Sequence, residues 1–502
     1  MINLSLGNIT DAKDGFDIAS LDMLFRSAAY TNLAKIYLRE NNLQKAMEYA
    51  RKAIDFNKYA VDALQILSCI YRLQNNKERA ERILDTLRLY EPLNHFVRFE
   101  NYLWQPTTEN KARFTDLIRN EMPQETYLEL AIWYFNIGRK EEATGVLQLS
   151  PTNAEVLYWK SFLENKPLNP DQLHPDLVFP FRLETAELLK ALIQKNDHWL
   201  LKYHLALIQW NFNNTSPAKQ LFEACGNTPD YAPFYAARAR FNMANDSSKV
   251  LGDLVEAAKL DKKQWRYGSS LVNYYLSQKQ YEQALKSAKE YKDQFPANYI
   301  IGMLYAKTLV LNKQYNAANA LLKVIQILPN EGATEGRQLY RENQLMLALD
   351  EMEKKNYKKA LQYVAASKQW PENLGVGKPY TEDIDERVED WLAYENYKRL
   401  NNEQAGRQML DKILSFKPYR DENGMIFPSV KTLVTAWALQ KTGKPDEGEK
   451  LLKDWVDKQP ENNLAKWTLN AYNGNYFTLP DETPTDENYR VLQKWITMST
   501  KR

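Results

Sequence analysis

Cysteine, histidine and long apolar runs are all scarce in this chain, and neither sign of charge dominates it. Two cysteines among 502 residues, Cys69 and Cys225, cannot build a disulfide framework or a zinc cluster. Both fall at small-residue positions of helical patterns, as buried free thiols of a reducing compartment do. The four histidines, His95, His174, His198 and His204, form no HExxH pair, and the six-residue step from His198 to His204 puts those two on different helix faces. No metal site is expected. No uncharged apolar stretch reaches the length of a membrane-spanning helix. The N-terminal residues of the sequence lack a basic region followed by an apolar run, so a cytoplasmic location is expected. The 66 basic and 64 acidic residues leave a net charge of +2, which offers no broad attraction to nucleic acid or an acidic membrane. Neither is expected as a partner.

Nucleotide and hydrolase signatures are missing too. Gly375-Val376-Gly377-Lys378 departs from a phosphate loop, with Glu372 where the earlier glycine belongs and Pro379 where Ser or Thr belongs. A dinucleotide fingerprint would need glycine at Tyr380. No GxSxG occurs. The segment reads as a structural loop, and no cofactor is expected. The neighbouring acidic pairs Glu382-Asp383 and Asp385-Glu386 have no cleft in the sequence pattern to act in. His174, in an irregular His-Pro-Asp stretch, and Lys378 remain as a candidate loop site.

What is present is a period. Alanine stands at Ala12, Ala46 and Ala80, a step of 34, and Ala34 is followed after the same step by Ser68, Tyr37 by Tyr71. A 34-residue step is that of the tetratricopeptide helix–turn–helix repeat. Small residues at positions 8 and 20 of that repeat let its two helices approach, an offset of twelve. The offset recurs as Ala34/Ala46, Ser68/Ala80, Ala131/Ala143, Ala206/Ala218, Ala239/Leu251, Val272/Ala284, Ala306/Ala318, Ala348/Ala360, Ala393/Ala405 and Ala436/Gly448. A degenerate pair, broken by Pro106, covers residues 95–121. The 31 tyrosines and 12 tryptophans fit as wedges between helices. The fold class is all-α, a superhelical α-solenoid of about ten clear tetratricopeptide-like pairs plus degenerate ones. Its expected organisation is an N-terminal array (1–165), an extended proline-rich segment (166–183), a C-terminal array (184–470) and a capping tail (471–502). Counting back from Ala12 puts Met1 inside a first helix, so the first hairpin reads as truncated and the chain as a piece of a longer protein.

The first helices of such an array line a concave surface. The carboxylate clamp of some co-chaperones is absent, since its positions hold Thr31, Lys35, Gln65 and Cys69. Further along, the same positions give Leu200, Tyr203, Leu207, Trp210, Arg240, Met303, Lys307, Tyr394, Tyr397 and Trp437, an apolar and aromatic lining that a protein partner could cover.

Several irregular strings carry a resemblance: DAKDGFDIAS (11–20), PLNHFVRFENYLW (92–104), HPDLVFPFR (174–182), ACGNTPDYAPFYAARA (224–239) and WPENLGVGKPY (370–380). They resemble the C-terminal tetratricopeptide region of Bacteroidetes-type bacterial proteins carrying "domain of unknown function 5107". The resemblance implies a β-rich domain, similar to galactose-mutarotase-like sandwiches, ahead of this region, and with it an indirect carbohydrate link. It transfers no catalytic residue. The expected function is a non-catalytic scaffold packing against that domain or another polypeptide. The alternatives are a free-standing peptide-binding adaptor, and a contribution of His174 or the 370–380 loop to a glycan-processing site.

Overall fold

In the computed structural model, residues 7–417, 428–479 and 486–500 are described, and among them all regular structure is helical. Helix pairs follow one another along the chain, and most are closed by a turn with one left-handed residue. Helix Arg26–Arg39 ends at Asn41, held left-handed at φ 64°, and Asn42 then caps helix Leu43–Phe56 by accepting from the Lys45 N–H. Asn75 (φ 54°) and Asn76 repeat this before helix Lys77–Tyr90. Asparagine suits both places, since it tolerates the left-handed region and its side chain satisfies a free helix N–H. Residues 1–6, where the half-helix is expected, lie outside the described residues. The chain is an α-solenoid of helical repeats.

Small residues sit where two helices touch. Ala46, Ala80, Ala143, Ala218, Ala284, Ala318 and Ala360 are all 0% exposed. Ala46→Leu or Ala284→Leu should therefore overpack the contact and cost about 1–3 kcal/mol, measured by urea unfolding. A loss below a few tenths of a kcal/mol would mean that the helices part freely.

One pair is displaced from its expected register. Asn41 lies seven residues after Ala34, and Asn42 four before Ala46. By the same rule the left-handed Asn401 (φ 54°) and the cap Asn402 select Tyr394 and Gly406, not Ala393 and Ala405. Gly406 is buried, and a Cβ there would stand 3.6 Å from the Tyr394 ring. A bulky residue on one helix is matched by the smallest on the other. At the weaker Ala239 pair, a 3-10 turn, Ser247–Lys249, precedes the second helix; Val250 and Leu254 are buried there and Leu251 only partly.

The chain divides into two compact units, residues 1–230 and 231–502. Residues 166–183 lie inside the first. They contain a 3-10 turn, Pro170–Gln172, and then an extended stretch that turns Val178 and Pro180 inward and leaves Phe179 and Phe181 exposed. Arg182 anchors its end through the Glu125 carboxylate at 2.6 Å. In the second unit, the 370–375 loop is structural: the Asn373 carbonyl accepts from the Ile327 N–H, and its amide donates to the carbonyls of Leu322 and Ile325.

Candidate functional site: the face of the first helices

In the first unit the former clamp positions are tied to their neighbours. Lys35 pairs with Asp62, whose other oxygen accepts from the Trp133 indole N–H at 3.1 Å. Leu200 and Tyr203 are buried within helix Trp199–Asn211, and Leu207 and Trp210 are half-buried. In the second unit, Arg240 and Lys307 are exposed and Met303 half-buried. Tyr394 and Tyr397 are half-buried against the core, and Trp437 is buried. His174 and Lys378 are exposed and belong to different units. Among the described residues no group of three or more His, Cys, Asp or Glu could hold a metal ion.

The second unit fills part of this face with its own chain. Helix Glu487–Thr500, capped by Asp486 accepting from the N–H groups of Asn488 and Tyr489, lies against the first helices of three successive pairs and against helix Asn463–Tyr472. The last helix of the tail thus reaches back over the face of the array. Two stripes on it, each at helical spacing, and a single tryptophan meet different neighbours. Arg490 donates to both oxygens of Glu342 (2.6 and 2.7 Å) and Lys494 to Asp350 (2.5 Å), both carboxylates lying on helix Glu335–Glu353. These contacts progress in the same order along both helices, so the two run parallel. Tyr489 and Gln493 face Trp467 of helix Asn463–Tyr472, with the indole N–H donating to Gln493 at 3.0 Å. Trp495 closes on Trp391 of helix Arg387–Arg399 and Trp437 of helix Thr432–Lys441, at centroid distances of 5.5 and 4.9 Å.

At one end of this face, Arg341 donates bidentately to Glu389 and through Nη1 to the Asn488 side-chain oxygen at 2.7 Å. Burial alone pushes the Glu389 carboxyl up, but the Arg341 charge and its hydrogen bonds outweigh this and hold it below its usual range. Nearby Lys431 is lowered, by burial and by the Arg341 charge. Of the expected lining, only Trp437 and the Tyr394 helix touch this assembly. Glu342, Asp350, Arg490, Lys494 and Trp495 escaped the repeat count. The run NYRVLQKWI has an amphipathic helical pattern that marks a helix, but nothing in it names the surface it seeks.

The tetratricopeptide repeat family model matches residues 26–58. No curated protein sequence matches the chain. Among solved structures, the APC/C hetero-tetramer Cut9–Hcn1 is similar over 91% of this chain and 98% of that one, at 11% identity and a TM-score of 0.29. Yeast Tom70 is similar over 94% of each chain, at 14% identity and a TM-score of 0.29. The P58(IPK) TPR domain covers 95% of this chain and 99% of its own, at 12% identity and a TM-score of 0.24.

Proposed function

We propose that this chain is a non-catalytic tetratricopeptide scaffold that packs against another polypeptide, and that it is the C-terminal part of a larger protein of the "domain of unknown function 5107" type, with the β-rich, carbohydrate-related domain as that polypeptide. The observation that carries this reading is the turn after helix Ile9–Ala19. Ile18, Leu21, Met23, Leu24 and Phe25, five large apolar residues among eight, are 58–88% exposed. Single exposed leucines are ordinary, whereas a contiguous patch marks a surface meant to be covered. The turn is also held in shape: Arg26 donates to the carbonyls of Ser20 (2.7 Å) and Leu21 (2.9 Å), and the Leu24 N–H donates to Asp22 at 2.8 Å. A pre-shaped apolar patch loses little freedom on docking. The half-buried Leu207, Trp210, Met303 and Tyr397 extend the candidate contact surface within their own units.

Supplying the β-rich domain in trans tests this. Co-purification at micromolar concentration is expected, and Leu24→Asp with Phe25→Asp should weaken it at least tenfold. No association, or association indifferent to the pair of substitutions, would overturn the reading.

A further inference from the structure

The groove that holds helix Glu487–Thr500 is built like a receptor site, and its present occupant leaves it incompletely satisfied. Its acidic wall, Glu342 and Asp350, accepts two cations one helical turn apart, and its aromatic wall, Trp391 stacked on Trp437 at 5.2 Å, accepts an indole. None of these contacts belongs to a helix hairpin: the ion pairs join residues 144 and 148 positions apart, and the Trp495 contacts residues 104 and 58 apart. Side chains alone hold the helix there, so an equivalent helix on another molecule could make the same contacts. Trp391, 1% exposed, also keeps its indole N–H buried without a hydrogen-bond partner.

We infer that this groove is a binding site for a helix of a partner protein, and that residues 487–500 are its built-in competitor. The partner helix carries two cationic residues four apart, an aromatic residue directly after the second, and a hydrogen-bond acceptor that reaches Trp391. That last requirement distinguishes it from a second copy of this chain, which would bring the same side chains and leave the same N–H unpaired. Charge complementarity fixes the sign of the ligand, and the paired tryptophans fix its aromatic anchor. The inference concerns a different unit and a different surface from the proposed docking of the β-rich domain, so either can fail alone.

The full chain with Arg490→Glu and Lys494→Glu has two repulsive contacts in place of two ion pairs and should release the helix. A fluorescein-labelled peptide with the sequence of residues 486–500 is the probe, followed by anisotropy. It should bind the double variant at least tenfold more tightly than the unaltered chain. Glu342→Arg added to that variant should abolish binding, and a peptide carrying Arg490→Glu should restore it. If the double variant loses helicity by circular dichroism, the full chain with Trp495→Ala serves with the same criterion. No peptide binding to a variant of unchanged helicity overturns the inference. Concentration-dependent dimers by light scattering, formed by exchange of helices, would give the groove to a second copy and overturn the partner reading.

Discussion

Replacing Arg341 by alanine should destabilise the second unit by about 3–5 kcal/mol, the cost of stranding a buried charge. Arg341 and Glu389 are both nearly inaccessible and meet through two parallel hydrogen bonds. Without the guanidinium, Glu389 keeps its burial and loses the charge that holds it ionised, while Asn488 loses its donor. Lys431 cannot replace it, because it is itself lowered by burial and engaged with Asp385 at 3.4 Å. Arg341→Met with Glu389→Leu removes both charges and should cost far less than the single alanine, since the pair's attraction largely repays its own desolvation. Urea unfolding followed by tryptophan fluorescence, with Trp391, Trp437 and Trp495 among the twelve reporters, measures the change. A single variant within 1 kcal/mol of the unaltered protein would show that water reaches Glu389.

A second large effect is expected in the first unit, and it depends on pH. Glu155 is fully buried; Thr185 donates to one oxygen at 2.7 Å, and the other has no partner. Arg182 stands 3.8 Å away but is committed to Glu125. Burial therefore wins, and the carboxyl is raised from 4.5 to about 7. Between those values the folded chain retains a proton that the unfolded chain has released. The stabilisation is complete below pH 4.5 and is lost as pH rises through 7, by about 3 kcal/mol at pH 8. His204 acts oppositely: burial lowers it from 6.5 to about 3, so it withdraws stability as pH falls below 6.5. Glu155→Gln keeps the acceptor for Thr185 and abolishes the ionisation. It should be more stable than the unaltered protein by about 3 kcal/mol at pH 8, and by less than about 1 kcal/mol at pH 5. A difference that does not change between those two pH values would refute the assignment to Glu155.

The repeat was legible because it is imposed by sterics. Two helices can approach at Ala34 and Ala46 only if both residues are small, so the 34-step is written in residue size. Tyr394 was not legible for the same reason: a search for small residues in both columns passes over a large one compensated by Gly406, and settles on Ala393 one position away. The left-handed Asn401 and the capping Asn402 were the better guides, since they set the phase of the turn whatever fills the interface. The groove lies beyond any such count. Periodicity describes how each pair meets the next, and Arg490 meets Glu342 across 148 residues that carry no matching signal. The candidate surface was legible as a class of positions, through Trp437, but not the fact that the chain reaches back to cover it.

That long return sets a timetable for synthesis. Glu342, Asp350 and Arg341 leave the ribosome long before Asn488, Arg490 and Lys494. At roughly 5–20 residues per second, the helix that bears the first three waits on the order of ten seconds for its counter-charges. The neighbouring hairpins can form meanwhile, as repeat units nucleate locally. During that interval the acidic wall, joined in its last part by the paired tryptophans, stands open to whatever else the nascent chain meets, so the order of translation gives an outside helix the first opportunity and the chain's own helix the last.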